Sequence, residues 1–229
     1  MIKIKKDGFT LSEVLITLSI VGVIAALVVP GMIKDINNKA MMSLLQGTVT
    51  NINDAIQNEL VQTRAVKLSD TDVFNNGQNF LRNFDYTRIQ GSGLPIFYPN
   101  GGYKNFQGVA KSGMGGGTYN ASALLKNGVG IAIQTPRSAN SKQFNGRRSA
   151  LITIDLNGSK EPNISGVDLF ELELSDESNL DLGIHAGDNL EHSSDINVCK
   201  TDCLENGYPY ACYSFASLSG FNPNYLIED

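Results

Sequence analysis

Glu13 is the one charged side chain in an apolar run of 21 residues, positions 9–29. A carboxylate inside a segment of membrane length is expensive to bury and marks a specific task, such as neutralising a cation. Ahead of it stands a short basic leader with Lys3, Lys5 and Lys6, which ends at Gly8. The junction Gly8-Phe9 and the carboxylate at Glu13 together read as a processing site joined to an assembly device. A second group of oxygen side chains, Asp155, Asn157 and Ser159, alternates around Gly158 like the start of a calcium loop. The full EF-hand pattern is broken, because glycine falls at the fourth place rather than the sixth and the twelfth position is Gly166. The same residues suit a hairpin connection, in which Asp, Asn and Gly satisfy the backbone of a tight turn. Both readings, turn and bound calcium, remain open from the sequence.

The remaining reactive residues are few. Cys199, Cys203 and Cys212 cluster near the C-terminus. In an exported domain such a cluster favours one disulfide with one cysteine left over. Cys203–Cys212 is the pairing expected, Cys199–Cys212 is the alternative, and Cys199–Cys203 is open if that segment is helical. Closing a loop of about ten residues contributes roughly 2–3 kcal/mol. His185 and His192 lie in a polar stretch with Asp188 and Glu191, which fits solvated loop residues better than zinc ligands. The glycine run at 113–117 lacks the Gly-Lys-Ser/Thr ending of a phosphate loop. No Ser-His-Asp, Cys-His or paired-acid arrangement stands out, so the chain reads as a receiver of chemistry rather than an enzyme.

Elements must position these groups. Residues 9–29 span about 31 Å as a helix, enough to cross a hydrocarbon core. A secretory signal would need a small-residue cleavage site, and Ala25-Ala26 is followed by Leu27, Val28, Val29 and Pro30, a poor fit. A lipoprotein signal would need a cysteine at the end of the run, and the first cysteine is Cys199. Pro30 removes a backbone donor and predicts a kink or local unwinding. Gly22 permits close helix packing in a membrane. Beyond Pro30 the pattern turns amphipathic: Ile33, Ile36, Ala40, Met41, Leu44, Leu45, Val49, Ile52, Ala55, Ile56 and Leu60 recur at helical spacing. One long helix over roughly 9–63 is predicted, with its second half packed on a sheet.

Further on, Val73, Phe74, Phe80, Leu81 and Phe84 predict a short helix behind the capping candidates Asp70, Thr71 and Asp72. Residues 94–98 fit a short strand. Residues 129–134, 150–156 and 168–174 are apolar or alternating runs bounded by turn residues, and predict strands of a small antiparallel sheet. The fold class is therefore α+β.

Charge is distributed unevenly. The leader, with three lysines and Asp7, carries +2, so the rest of the chain carries −7 of the net −5. That pattern places the leader on the cytoplasmic side and an acidic body outside it. No basic run follows residue 6 except Arg147-Arg148, so the soluble domain is not expected to bind nucleic acid.

The stretch Gly8-Phe9-Thr10-Leu11-Ser12-Glu13-Val14-Leu15 resembles the leader junction of type IV pilins and of the pseudopilins of type II secretion. The resemblance is close over roughly residues 5–60. It implies that a prepilin peptidase cuts between Gly8 and Phe9 and methylates the new N-terminus, and that the subunit packs by its N-terminal helix into a filament. It implies a helix that melts near Pro30 on assembly, and the pilin-like form of the α+β fold. Four residues, one helical turn, separate Phe9 from Glu13. In a bundle of such helices, Glu13 of one subunit can neutralise the Phe9 ammonium of a neighbour and set the register. Domains then follow: leader 1–8, membrane and assembly helix 9–29, amphipathic helix 30–65, and an extracytoplasmic globular domain 66–229. The partners implied are prepilin peptidase, other pilin or pseudopilin subunits, an inner-membrane assembly platform and membrane lipid. A minor pilin or pseudopilin fits better than a major pilin, given the long glycine-rich middle section. The run from Asp155 through Pro162-Asn163 to Gly166-Val167-Asp168-Leu169-Phe170 is also similar to stretches in the globular domains of minor pilins and pseudopilins.

Overall fold

The computed structural model describes residues 8, 10–110, 115–137, 149–175 and 195–226. The chain divides into two compact units, Met1–Ala40 and Met41–Asp229, and helix α1 (Leu11–Thr63) contributes to both. A kink or local unwinding was the expectation at Pro30. The helix runs through Pro30 and Gly31 without unwinding. Proline deletes a single backbone bond, and the intact ladder on either side keeps the turn.

In the second unit, α1 presents Met42, Leu45, Val49, Ile52, Ala55 and Ile56 as a buried stripe. The stripe shares one core with a five-stranded antiparallel sheet whose strands follow chain order: β1 (Tyr86–Gln90), β2 (Ala121–Leu125), β3 (Gly130–Arg137), β4 (Ser149–Asp155) and β5 (Leu169–Ser175). Side chains alternate across a strand. One face therefore collects Ala121, Ala123, Ile131, Ile133, Ile152, Ile154, Phe170 and Leu172 for the helix core. The strands predicted at 129–134, 150–156 and 168–174 are β3, β4 and β5 to within a few residues. Residues 94–98 form no strand. Pro95 opens a turn closed by the Tyr98 amide on the Pro95 carbonyl, 2.9 Å, and Phe97 packs with Tyr119 and Ala132 on the other face of the sheet.

The single short helix expected over 73–84 is two, α2 (Asp72–Asn75) and α3 (Gly77–Leu81). Thr71 stands at the N-cap of α2, but its hydroxyl donates to the Leu68 carbonyl. The cap comes from α1 instead: the Asp72 amide donates to Glu59 Oε2, 3.1 Å. Glu59 is buried. Burial and the neighbouring Asp72 push its carboxyl up, while the backbone amides of Val73 and Asp72 hold it back.

The C-terminal region, unassigned from sequence, forms α4 (Ile196–Thr201), a wide π turn over Asp202–Asn206, and α5 (Pro209–Leu218). Pro209 begins α5 at a position where a missing donor costs nothing. Ala211, Cys212, Phe215 and Ala216 bury one face of α5 in the core.

Candidate functional site

The first site is the start of α1. Thr10 and Glu13 form a reciprocal cap. The Thr10 amide and Thr10 Oγ1 both donate to Glu13 Oε2 at 2.8 Å, and the Glu13 amide reaches Thr10 Oγ1 at 3.3 Å. This is a capping box, in which two otherwise unpaired amides at a helix start satisfy each other's side chains. Sequence reading missed it, although the signal, Thr-x-x-Glu ahead of an apolar run, is present. Phe9 lies outside the described residues, as do Lys3, Lys5 and Lys6. Leu11, Leu15, Ile16, Leu18, Val21 and Leu27 are all exposed, on a helix long and apolar enough to cross a membrane.

The second site is the loop between β4 and β5. Asp155 ends β4, on the face away from the helix core, and Asp168 stands one residue before β5. Both are fully buried. The Tyr103 hydroxyl donates to Asp155 Oδ2 from the segment that covers this face, and the Asn157 amide donates to Oδ1, 3.0 Å. Asp168 gathers the return of the loop: the Asn163 amide donates to Oδ2 at 2.8 Å and the Ile164 amide to Oδ1 at 2.7 Å. Asn157 bridges the pair, since its Nδ2 lies 3.3 Å from Asp168 Oδ2. None of these donors is a cation. Burial pushes the Asp155 carboxyl up to about 8, with Asp168 adding to the rise against the Tyr103 hydrogen bond. Burial pushes Asp168 up to about 6, held back by the amides of Ile164 and Asn163. Burial also drives the Tyr103 phenol far above its ordinary range.

Of the three oxygens expected to cluster here, Asp155 and Asn157 do. Ser159 is exposed and lines a cleft of about 420 Å³ with Tyr98, Gly102, Lys104, Glu161 and Asn163. Asp168 and Asn163 take its place at the carboxylate pair. Both lie in the motif singled out in sequence. Tyr103, 52 positions before Asp155, gave no signal.

The loop is braced by the C-terminal helices. Of the pairings open from sequence, the structure joins Cys203 to Cys212 and leaves Cys199 as a buried thiol. The disulfide lies against Gly166, and the Tyr225 hydroxyl donates to the Gly166 carbonyl. His185 and His192 lie outside the described residues. Among the described residues, no three His, Cys, Asp or Glu side chains are placed to hold a metal.

Against known proteins, residues 3–29 match the model of the prokaryotic N-terminal methylation motif. This is the type IV pilin and pseudopilin signature. No curated protein and no solved structure matches the chain. The motif covers Gly8, Phe9, Glu13 and the exposed apolar helix behind them. It implies processing by a prepilin peptidase and assembly with other pilin-type subunits, and the proteins it marks are structural rather than enzymatic. The apolar helix agrees with membrane anchoring.

Proposed function

We propose that this chain is a minor pilin or pseudopilin, a filament subunit of a type IV pilus or of a type II secretion machine. One observation carries the reading. The methylation motif falls on a helix whose apolar side chains are exposed in the monomer, with a lone carboxylate at its start. Exposed apolar surface on this scale needs lipid or a partner to cover it. Lipid covers it before assembly, and the helices of neighbouring subunits cover it afterwards.

In this reading residues 1–8 are a cytoplasmic leader, and 9–29 cross the inner membrane once. Residues 30–65 carry the amphipathic part of the helix, and 66–229 are the extracytoplasmic domain. A prepilin peptidase cuts after Gly8 and methylates Phe9. An assembly platform in the membrane then draws the subunit into the filament. Glu13 Oε2 caps its own helix through Thr10. Its second oxygen remains to take the Phe9 ammonium of the adjacent subunit, and Pro30 marks where the helix loosens on assembly.

The expected result is that filaments sheared from the cell surface, or secretion filaments isolated from the periplasm, contain this chain. That recovery should be lost in cells without prepilin peptidase. Filaments that assemble in full while the chain stays in the membrane fraction would contradict the proposal.

A further inference from the structure

The segment 98–104 is fastened to the return of the β4–β5 loop by backbone bonds. The Lys104 amide donates to the Asn163 carbonyl and the Ser165 amide to the Lys104 carbonyl, both at 2.9 Å. Together the two segments line a cleft of about 420 Å³, a volume within the roughly 300–1,000 Å³ of small-molecule sites. Tyr98, Asn100 and Lys104 come from the first segment, and Ser159, Glu161 and Asn163 from the second.

The lining is a mixture that few ligands match. Lys104 only donates, Glu161 only accepts, and Asn100 and Ser159 do both. Lys104 and Glu161 cancel in charge and form no ion pair with each other; the ion pair seen among the described residues is Lys126–Asp85. Asn163 is 4% exposed, and its Oδ1 is buried with no hydrogen-bond partner among the described residues. A buried acceptor in that state lacks a donor. Tyr98 is half-buried, its ring edge-on to Tyr103 with centroids 5.6 Å apart. Glycines make room for it: a Cβ at Gly102 would lie 3.1 Å, and one at Gly116 2.9 Å, from the Tyr98 hydroxyl. The glycine-rich middle section thereby sets an aromatic ring at the cleft.

We propose that this cleft binds a neutral saccharide. A sugar hydroxyl donates and accepts at once, so neighbouring hydroxyls satisfy a donor such as Lys104 and an acceptor such as Glu161 on the same ring. A further hydroxyl supplies the donor that Asn163 Oδ1 lacks. The C–H face of a pyranose is apolar and suits the negative face of an aromatic ring, which Tyr98 provides. Other ligands fit less well. An anion would meet Glu161 and an organic cation Lys104, and like charges brought together are costly. An apolar ligand would strip water from both charges. An extended peptide takes a free sheet edge or a row of side-chain pockets, and here the two backbones are already bonded to each other. The site lies wholly within the second unit and stands apart from the filament reading, which rests on the N-terminal helix.

The test uses the full chain in a detergent without a sugar head group. It is applied to a panel of immobilised neutral and sialylated oligosaccharides, with random peptides alongside, and the strongest neutral binder is then titrated by calorimetry. Neutral oligosaccharides should bind, and a terminal sialic acid should weaken the same chain. Glu161 is exposed, so Glu161→Ala should fold as the wild type does, checked by its melting curve. It should weaken binding at least about tenfold, the loss expected when a hydrogen bond to a charged group is removed. Tyr98→Leu should weaken it as well. Asn58→Ala, on α1 and lining a separate cleft, should keep the wild-type affinity. A panel with no neutral oligosaccharide bound would overturn the proposal, and so would binding that Glu161→Ala leaves unchanged. Peptides bound in place of the sugars would make the cleft a peptide groove and overturn it too.

Discussion

Replacing Glu13 by alanine should reduce incorporation into filaments by at least about a hundredfold, while the globular unit melts as in the wild type. The magnitude follows from the burial of charge. An ammonium packed among apolar helices without its counter-ion costs about 3–5 kcal/mol, and each 1.4 kcal/mol is a factor of ten in an equilibrium. Glutamine at the same position separates the capping role seen in the structure from the charge pairing proposed for the filament. A Glu-to-Gln change preserves the capping box with Thr10, because the amide oxygen still accepts the Thr10 amide. It cannot neutralise a neighbour's Phe9 ammonium. If charge pairing governs assembly, both variants should fail alike in the filament fraction. If capping alone matters, glutamine should assemble normally, and the ion pair would be ruled out. The globular unit is the internal control, since Glu13 lies in the first unit and, among the described residues, its carboxylate is bonded by Thr10.

The second large effect is expected at Gly166. A Cβ built there would lie 2.8 Å from Cys212 Sγ and 3.1 Å from both Cys203 Sγ and the Phe106 ring, on a backbone with φ +84°. The disulfide cannot retreat as a flexible side chain would, because both of its ends are tied to helices in the core. Overpacking of this kind costs about 1–3 kcal/mol, and the left-handed backbone about 1–2 kcal/mol more for a residue with a Cβ. Gly166→Ala should therefore lower the melting temperature by roughly 5–15 °C, read by circular dichroism. Gly108→Ala serves as the control. Its φ is +76° and nothing lies within 4 Å of the added methyl, so it carries the backbone cost without the clash. Equal losses from the two variants would show that Gly166 is kept for its backbone alone, and that the disulfide does not press on the loop.

The parts of this fold that could be read from sequence are those where one pattern dominates. The lower half of α1 was legible because its buried residues, from Leu45 through Ile56, recur at helical spacing against Asn51, Asn53, Asp54 and Asn58. Strands β3, β4 and β5 were legible because both of their faces are covered, which leaves runs such as Ile131-Ala132-Ile133 and Leu151-Ile152. β1 was not. It is an edge strand, and its sequence Tyr86-Thr87-Arg88-Ile89-Gln90 is half exposed with no apolar alternation. β2 hides behind small residues, Ala121, Ser122 and Ala123, which signal neither strand nor helix. Ile96 and Phe97 look like part of a strand because they cover the sheet, which takes apolar residues but not strand geometry. At the β4–β5 loop the motif located Asp155, Asn157, Asn163 and Asp168, since they lie within 14 positions of one another. Tyr103 and the disulfide against Gly166 came only from tertiary structure, because contacts made across long separations leave no local pattern.

The central claim is that this chain is a processed filament subunit, and the mass of its N-terminal peptide tests it most directly. The peptide would be taken from cells with and without a functional prepilin peptidase. The account predicts a peptide that begins at Phe9 and is heavier than its sequence by one methyl group, present only in cells with the peptidase. A chain that still begins at Met1 in both would contradict it, and would make the same apolar helix a simple membrane anchor.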